Sequence, residues 1–326
     1  MVSEKEFELS NGPTDGVSCT IFHPTDPNLL LVTSWDGKVR LYDVLENSLK
    51  NSHAEHEGAV LSGTFSAQDG VAFSGGLDGR VVIWYDAYTK TKSIGSHKKA
   101  VSCMDFNSEY QYLVTGSWDK SVCIWDAKAL GQTQQEQSQE TKPLQTLSQE
   151  ERVYSLSTIG HHLVVALADR KFVIYDLRDI AELAKPEDNI EPRWSRMSTL
   201  KYQTRRIQCM PSGNGFVAGS IEGRVAVEYI DDSPEVQSKK YAFRCHRKQV
   251  DGVENIYPVN AISFHPVHHT FATGGEDGTV CLWDGFNKKR IKLYPEYPTS
   301  VSALSFNCNG KLLAIASSYT YAQGVR

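Results

Sequence analysis

The run Val101-Ser102-Cys103-Met104-Asp105-Phe106, then Tyr112-Leu113-Val114-Thr115, then Gly116-Ser117-Trp118-Asp119 and a last run closing on Trp125-Asp126, decides the fold. The first run alternates in character with period two, as a half-buried strand does. The second is a short apolar strand. Small residues and an acid make the turn that follows, and a third strand closes on an aromatic followed by Asp. Turns at such short intervals exclude a helical architecture.

The unit recurs. Its turn acids are Asp36, Asp78, Asp119, Asp169, Glu222 and Asp277, spaced by 42, 41, 50, 53 and 55 residues. Its strand-end aromatics are Tyr42, Trp84, Trp125, Tyr175 and Trp283, with Glu228-Tyr229 filling the fifth place. This is the WD-repeat pattern, in which each unit builds one four-stranded propeller blade. Seven first strands can be placed, near Val17, Ala59, Val101, Val153, Ile207, Val259 and Val301. The expected fold is all-β: a seven-bladed WD-repeat β-propeller, a single domain over residues 1–326. Phe7-Glu8-Leu9 is expected to be an outermost strand lent to the last blade, which would close the ring and limit exposed edges. Asp36-Gly37, Asp78-Gly79 and Asp277-Gly278 read as two-residue hairpin turns. His56 and His97 precede their first strands by the same interval. Likeness to other WD repeats implies that each bonds the turn acid of its own blade. That makes His56/Asp78 and His97/Asp119 structural pairs rather than catalytic ones.

Composition narrows the function. The 326 residues carry a formal net charge of −5 and a pI near 6.1, against bulk nucleic-acid binding, although a local basic patch stays open. No apolar run approaches the roughly 18 residues of a membrane span. The opening residues are acidic and polar, unlike a signal peptide. The seven cysteines lack CxxC spacing. Cys19, Cys103 and Cys209 stand third in equivalent strands and read as small core residues, so a reducing compartment is expected. Phosphate-loop, zinc-protease and nucleophile-elbow motifs are missing. His265-Pro266-Val267-His268-His269 falls between strands and reads as a loop rather than a metal site. No catalytic residue, cofactor or metal is expected. Insertions at 131–141, 179–193 and 231–240 are expected to be mobile surface loops.

Propellers bind through their faces, so the informative residues are those the scaffold does not demand. The residue before the turn acid runs Trp35, Leu77, Trp118, Ala168, Ile221, Glu276. Core packing does not call for indole at a rim hairpin. Trp35 and Trp118 flanking Leu77 would make an aromatic cleft, whereas Trp84, Trp125 and Trp283 fill the scaffold column. The second departure is basic. Lys201-Tyr202-Gln203-Thr204-Arg205-Arg206 leads into the fifth unit, Arg224 starts its third strand and Arg244 lies in its fourth. Two guanidinium groups on adjacent strands could converge on one anion. The same residues also fit a solvated edge, because Lys38, Arg80 and Lys171 occupy Arg224's column.

Longer strings are more specific. Ser34-Trp35-Asp36-Gly37, Lys201-Tyr202-Gln203-Thr204-Arg205, Ile221-Glu222-Gly223-Arg224-Val225-Ala226-Val227-Glu228-Tyr229, Ser233-Pro234-Glu235-Val236-Gln237 and Lys240-Tyr241-Ala242-Phe243-Arg244-Cys245-His246-Arg247 resemble the mitotic spindle-checkpoint propeller family. The resemblance runs from about Glu6 to Tyr319. It implies a non-catalytic adaptor in the nucleus and at kinetochores, and also in the cytoplasm. One implied ligand is the GLEBS segment of checkpoint kinases, taken by Trp35, Trp118 and Arg205. The other is the phosphothreonine MELT repeat of the kinetochore scaffold, taken by Arg224 and Arg244. Rival readings are the related mRNA-export propeller, which binds a nucleoporin GLEBS segment, and a generic substrate-receptor propeller. After Ser317-Ser318-Tyr319 the family continues with an acidic loop and a final strand, where this sequence has Ala322-Gln323-Gly324-Val325-Arg326. The last blade is therefore expected to lack its third strand.

Overall fold

The computed structural model describes residues 6–68, 70–132, 141–182 and 190–320. Among them the chain folds into six four-stranded antiparallel sheets, each in simple sequence order, with a two-stranded hairpin and a two-stranded closing sheet. It is an all-β WD-repeat propeller. The inner strands of the six sheets are Val17–Phe22, Val60–Phe65, Val101–Asn107, Val153–Ile159, Thr204–Cys209 and Val259–Phe264. The closing sheet is Val301–Phe306 paired with Leu313–Ser317. Each inner strand touches the next, and Val301–Phe306 touches both Val259–Phe264 and Val17–Phe22, so the ring is closed.

The core lies between blades rather than within one body. Between the first and second blades Leu31, Val39 and Leu41 pack on Val60, Phe65 and Trp84. Between the second and third, Phe73 and Ile83 meet Leu113 and Trp125. Such clusters exist because alternate residues of each strand face opposite neighbours. Serines lace the inner strands together. Ser18 Oγ donates to the Val60 carbonyl at 2.5 Å, Ser102 Oγ to the Val153 carbonyl at 2.7 Å, and the Phe306 amide donates to Ser263 Oγ at 3.0 Å. Closure uses the same device, the Phe22 amide donating to Ser305 Oγ at 3.0 Å.

Several expectations change. Residues 6–9 form no strand. Instead Ser10 N donates to Asn47 Oδ1 at 2.9 Å, and Asn47 Nδ2 donates to the Glu8 carbonyl at 3.1 Å. Leu9 packs on the Phe22, Leu30 and Tyr42 cluster that Leu312 and Ala314 also reach. The segment thus bridges the first blade and the closing sheet through side chains. A ladder needs a third strand beside Leu313–Ser317, and the described residues supply none.

The expected two-residue turns are three-residue loops. Ser34 N donates to the Lys38 carbonyl at 3.2 Å, and Gly37 N donates to the Ser34 carbonyl at 3.3 Å. The glycine closes a turn from a left-handed conformation, which creates a bulge. At Gly79 (φ 82°) an added Cβ would also stand 2.6 Å from the His97 carbonyl oxygen.

The insertions are partly helical. Ala127–Gln132, Leu177–Ala181 and Pro234–Gln237 are short helices. The insertion at 231–240 is ordered by Gln237, whose Nε2 donates to the Tyr229 carbonyl at 3.1 Å and whose Oε1 accepts from Arg196 Nη1 at 2.6 Å. Residues 133–140, 183–189 and 321–326, parts of the other expected loops and the chain end, lie outside the described residues. No helix of the described residues is long and apolar enough to cross a membrane.

Candidate functional site

One face of the disc is built by a repeated backbone bond. The first residue of each loop after the second strand donates its N–H to the carbonyl before that blade's inner strand. Trp35 bonds Gly16 at 2.9 Å, Leu77 bonds Ala59 at 2.8 Å, and Trp118 bonds Ala100 at 3.1 Å. Ala168 bonds Arg152, Ile221 bonds Gln203, Glu276 bonds Pro258 and Ser318 bonds Ser300 in the same way. The bond pins these side chains to one rim, independent of their identity. Trp35, Leu77 and Trp118 therefore stand at equivalent places on three successive blades. Trp35 is 49% exposed and Leu77 45%, while Trp118 is half-buried against its surroundings.

Each inner strand also carries a bulge one residue in from this face. In the fifth blade the register slips between Thr204 and Arg206, leaving Arg205 unpaired and exposed. Equivalent slips free Ser18, Leu61, Tyr154, Asn260 and Ser302. Bulges re-aim side chains. Arg205 stands two residues from Gln203, whose carbonyl receives the amide of the rim residue Ile221, so it is adjacent in the chain to that rim.

The basic pair lies farther out. Arg224 opens the third strand of the fifth blade and is directly opposite Arg244 in the edge strand Tyr241–Arg244. Like charges directly across an antiparallel pair repel. Among the described residues the one acid that Arg224 reaches is Glu222, Nε to Oε2 at 3.6 Å, and Glu222 also accepts from the Lys201 amide at 3.2 Å. Arg244 is exposed and has no acidic partner among the described residues. In the same column Arg80 is held by Asp78 at 3.1 Å and by Glu57, and its cross-strand neighbour is Ser96. Lys171 is held by Glu150 and faces Met197. The fifth blade is the one where the column residue meets a second cation.

His56 bonds the turn acid of its blade directly, whereas His97 reaches its own through a hydroxyl. His56 Nδ1 meets Asp78 Oδ1 at 3.1 Å and its Nε2 meets Ser74 Oγ at 2.9 Å, which also accepts from Trp84 Nε1 at 3.0 Å. Burial holds the imidazole below its usual pKa. Burial alone would raise Asp78, but bonds from the Glu57 amide, His56 and the Arg80 amide outweigh it and keep the carboxyl below its usual range. Both shifts favour a neutral imidazole beside a carboxylate. In the third blade Ser121 intervenes: His97 Nδ1 meets Ser121 Oγ at 2.8 Å, Ser121 Oγ donates to Asp119 Oδ1 at 2.5 Å, and His97 is 3.5 Å from Asp119. His97 Nε2 meets Thr115 Oγ1 at 2.8 Å.

A third such set escaped the sequence reading. His246 Nδ1 meets Asp277 Oδ1 at 2.9 Å, and its Nε2 meets Thr273 Oγ1 at 2.8 Å, which accepts from Trp283 Nε1 at 2.9 Å. The hairpin Arg247–Val250 and Val253–Ile256 is inserted between His246 and its inner strand, which breaks the interval seen at His56 and His97. Trp283 after Asp277 was the available signal. The first blade has no histidine at this place. Arg40 holds Asp36 there, Nη1 to Oδ1 at 3.1 Å and Nη2 to Oδ2 at 2.6 Å. Elsewhere, Cys103 and Cys209 are buried, and burial pushes both thiols up to about 12. Cys19 is only half-buried. His265 Nδ1 accepts from the Val267 and His268 amides at 3.1 Å, so it braces its own loop. No group of three or more metal-ligating side chains occurs among the described residues.

Known proteins agree with this architecture. The WD domain, G-beta repeat model matches residues 4–43, 47–85, 88–126 and 239–284. The chain is 49% identical over 317 residues to mitotic checkpoint protein BUB3.1 of Arabidopsis thaliana, covering 97% of this chain and 88% of that protein. It belongs to the BUB3 family of mitotic checkpoint WD-repeat proteins. Another BUB3 relative, mitotic checkpoint protein bub3 of Dictyostelium discoideum, is 40% identical over 98% of this chain and 90% of its own length. The poly(A)+ RNA export protein of Schizosaccharomyces pombe is more distant, 33% identical over 98% of this chain and 86% of its own length.

Proposed function

We propose that this BUB3-family chain is a non-catalytic adaptor of the spindle assembly checkpoint, acting in the nucleus and at kinetochores. One ligand is a GLEBS segment of checkpoint kinases, laid across Trp35, Trp118 and Arg205. The other is a phosphothreonine MELT repeat of the kinetochore scaffold, held by Arg224 and Arg244. In this reading the closing sheet is the seventh blade. The observation that carries the proposal is the cross-strand pair Arg224 and Arg244, to which the described residues offer one acid, Glu222, 3.6 Å from Arg224. A phosphate supplies the missing negative charge and matches paired guanidinium geometry, so the modified repeat alone repays desolvation of the arginines. Exposed indole on the same rim suits a peptide anchor.

Isothermal calorimetry tests this with a phosphothreonine MELT peptide, its unmodified twin and a GLEBS peptide. GLEBS binding together with MELT binding that depends on the phosphate and is lost in Arg224→Ala or Arg244→Ala supports the adaptor. GLEBS binding without any response to phosphate would favour the mRNA-export reading, which the 33% identical export relative keeps as the second choice.

A further inference from the structure

The outer strand of the sixth blade differs from those of the other five four-stranded sheets. Phe286, Asn287, Lys288, Lys289, Arg290 and Ile291 are all exposed, as is Leu293, and Phe286 is 93% exposed. The strand Lys289–Leu293 is the last in its sheet, so one backbone edge has no strand beside it among the described residues.

Lys288, Lys289 and Arg290 have no salt-bridge partner among the described residues. In the first and second blades Lys50 is 3.3 Å from both Asp43 and Glu46, and Lys90 is 2.8 Å from Asp86. In the sixth blade the matching acid is Asp284, which Asn287 bonds through its amide at 2.9 Å and its Nδ2 at 2.7 Å, while Lys289 directly across attracts it from beyond salt-bridge distance. Lys288 lies over the Tyr241 ring at 4.7 Å. Lysine on an edge strand is a common defence against strand pairing. That defence does not need Phe286, Ile291 and Leu293 exposed among the cations. A bulge between Leu282 and Trp283 skips Ile291, which has no cross-strand partner in its own sheet.

We infer that this edge is a docking strand for an acidic, extended peptide segment of a partner protein. The partner adds a strand along Lys289–Leu293. Its carboxylates meet Lys288, Lys289 and Arg290, and its alternate apolar residues cover Ile291, Leu293 and Phe286. Main-chain bonds supply affinity and the alternating side chains supply specificity. The charge complement is an acidic one, on a protein whose net charge is −5. Lys288 lies over Tyr241, in the strand that ends at Arg244, so this edge adjoins the basic pair; Arg224→Ala/Arg244→Ala, which should leave the Glu/Val peptide's affinity unchanged, separates the two sites.

The test uses the whole chain and a fluorescein-labelled ten-residue peptide alternating Glu and Val, read by anisotropy at low salt. Three controls accompany it: a Lys/Val peptide, the Glu/Val peptide N-methylated on alternate amides, and a ten-nucleotide oligo(U) RNA. The Glu/Val peptide should bind, the other three should not. The Lys289→Glu/Arg290→Glu double variant should weaken it by about tenfold or more, as expected for charge reversal in a complementary interface. Phe286→Ser, at a loop tip outside the sheet, should weaken it without moving the thermal midpoint. Glu/Val binding that survives both variants, or N-methylated peptide binding as well as the parent, overturns the inference. So does charge-dependent binding of the RNA with none of the peptide.

Discussion

The turn acids of the second and fifth blades occupy one column of the repeat and do opposite work. Asp78 is consumed by its own blade: His56, the Glu57 amide, and the amide and Nε of Arg80 all reach it. Nothing there is left for a ligand. The Glu222 carboxylate meets only the Lys201 amide and, loosely, Arg224 among the described residues, and the cation across from Arg224 is another arginine. The second blade has spent its charges on holding itself together. The fifth keeps an excess of positive charge that folding does not use. A binding residue in a repeat protein is thus found by asking which column member its own blade leaves unsatisfied.

The comparison can be broken at its structural end first. Trp84 is fully buried and donates to Ser74, which also holds His56. Trp84→Ala should cost about 3–5 kcal/mol of stability, measured by denaturant unfolding. A loss under about 1 kcal/mol would mean that the buried set is ornamental. On the open face, Trp35→Ala should weaken GLEBS peptide binding by about 2 kcal/mol while leaving the unfolding midpoint in place. The same loss from Trp84→Phe would erase the distinction between scaffold and rim indole.

Acid should act on the self-satisfied blades. His56 and His97 have pKa values lowered by burial from the ordinary 6.5. Above that value both folded and unfolded chains carry them neutral. As pH falls below it the unfolded chain takes the protons first, so stability is lost from there down towards the folded values. The thermal midpoint should drop between pH 7 and 5, and His56→Asn/His97→Asn should flatten that slope. The smallest effect concerns the fifth blade. Arg244→Ala relieves a cross-strand repulsion, so it should leave stability unchanged or raise it by a few tenths of a kcal/mol.

Much of this was legible in the sequence. Turn acids and strand-end aromatics located the six four-stranded sheets, and the departures Trp35, Trp118, Arg205, Arg224 and Arg244 fell on elements the structure does place at one face or one sheet edge. What was not legible depended on distance in space. His246 was hidden because ten inserted residues, 247–256, separate it from the blade it serves. The direct opposition of Arg224 and Arg244 is a matter of register, which spacing alone does not fix. Phe7-Glu8-Leu9 reads as a strand by composition, but a strand exists only where a neighbour accepts its bonds. Ser121 between His97 and Asp119 shows the same limit: the family role gave the ends of the contact and not the hydroxyl between them.

The central claim is that the excess charge of the fifth blade is there for a phosphate. A double-mutant cycle tests it most directly. The ratio of affinities for phosphothreonine and unmodified MELT peptide is measured by calorimetry in the wild type, Arg224→Ala, Arg244→Ala and the double variant. The account predicts a large ratio in the wild type. Each single change should lower it by about 1.5–3 kcal/mol, and the double by less than their sum because both arginines hold one anion. A ratio unchanged by Arg244→Ala would contradict it and return that residue to the solvated edge.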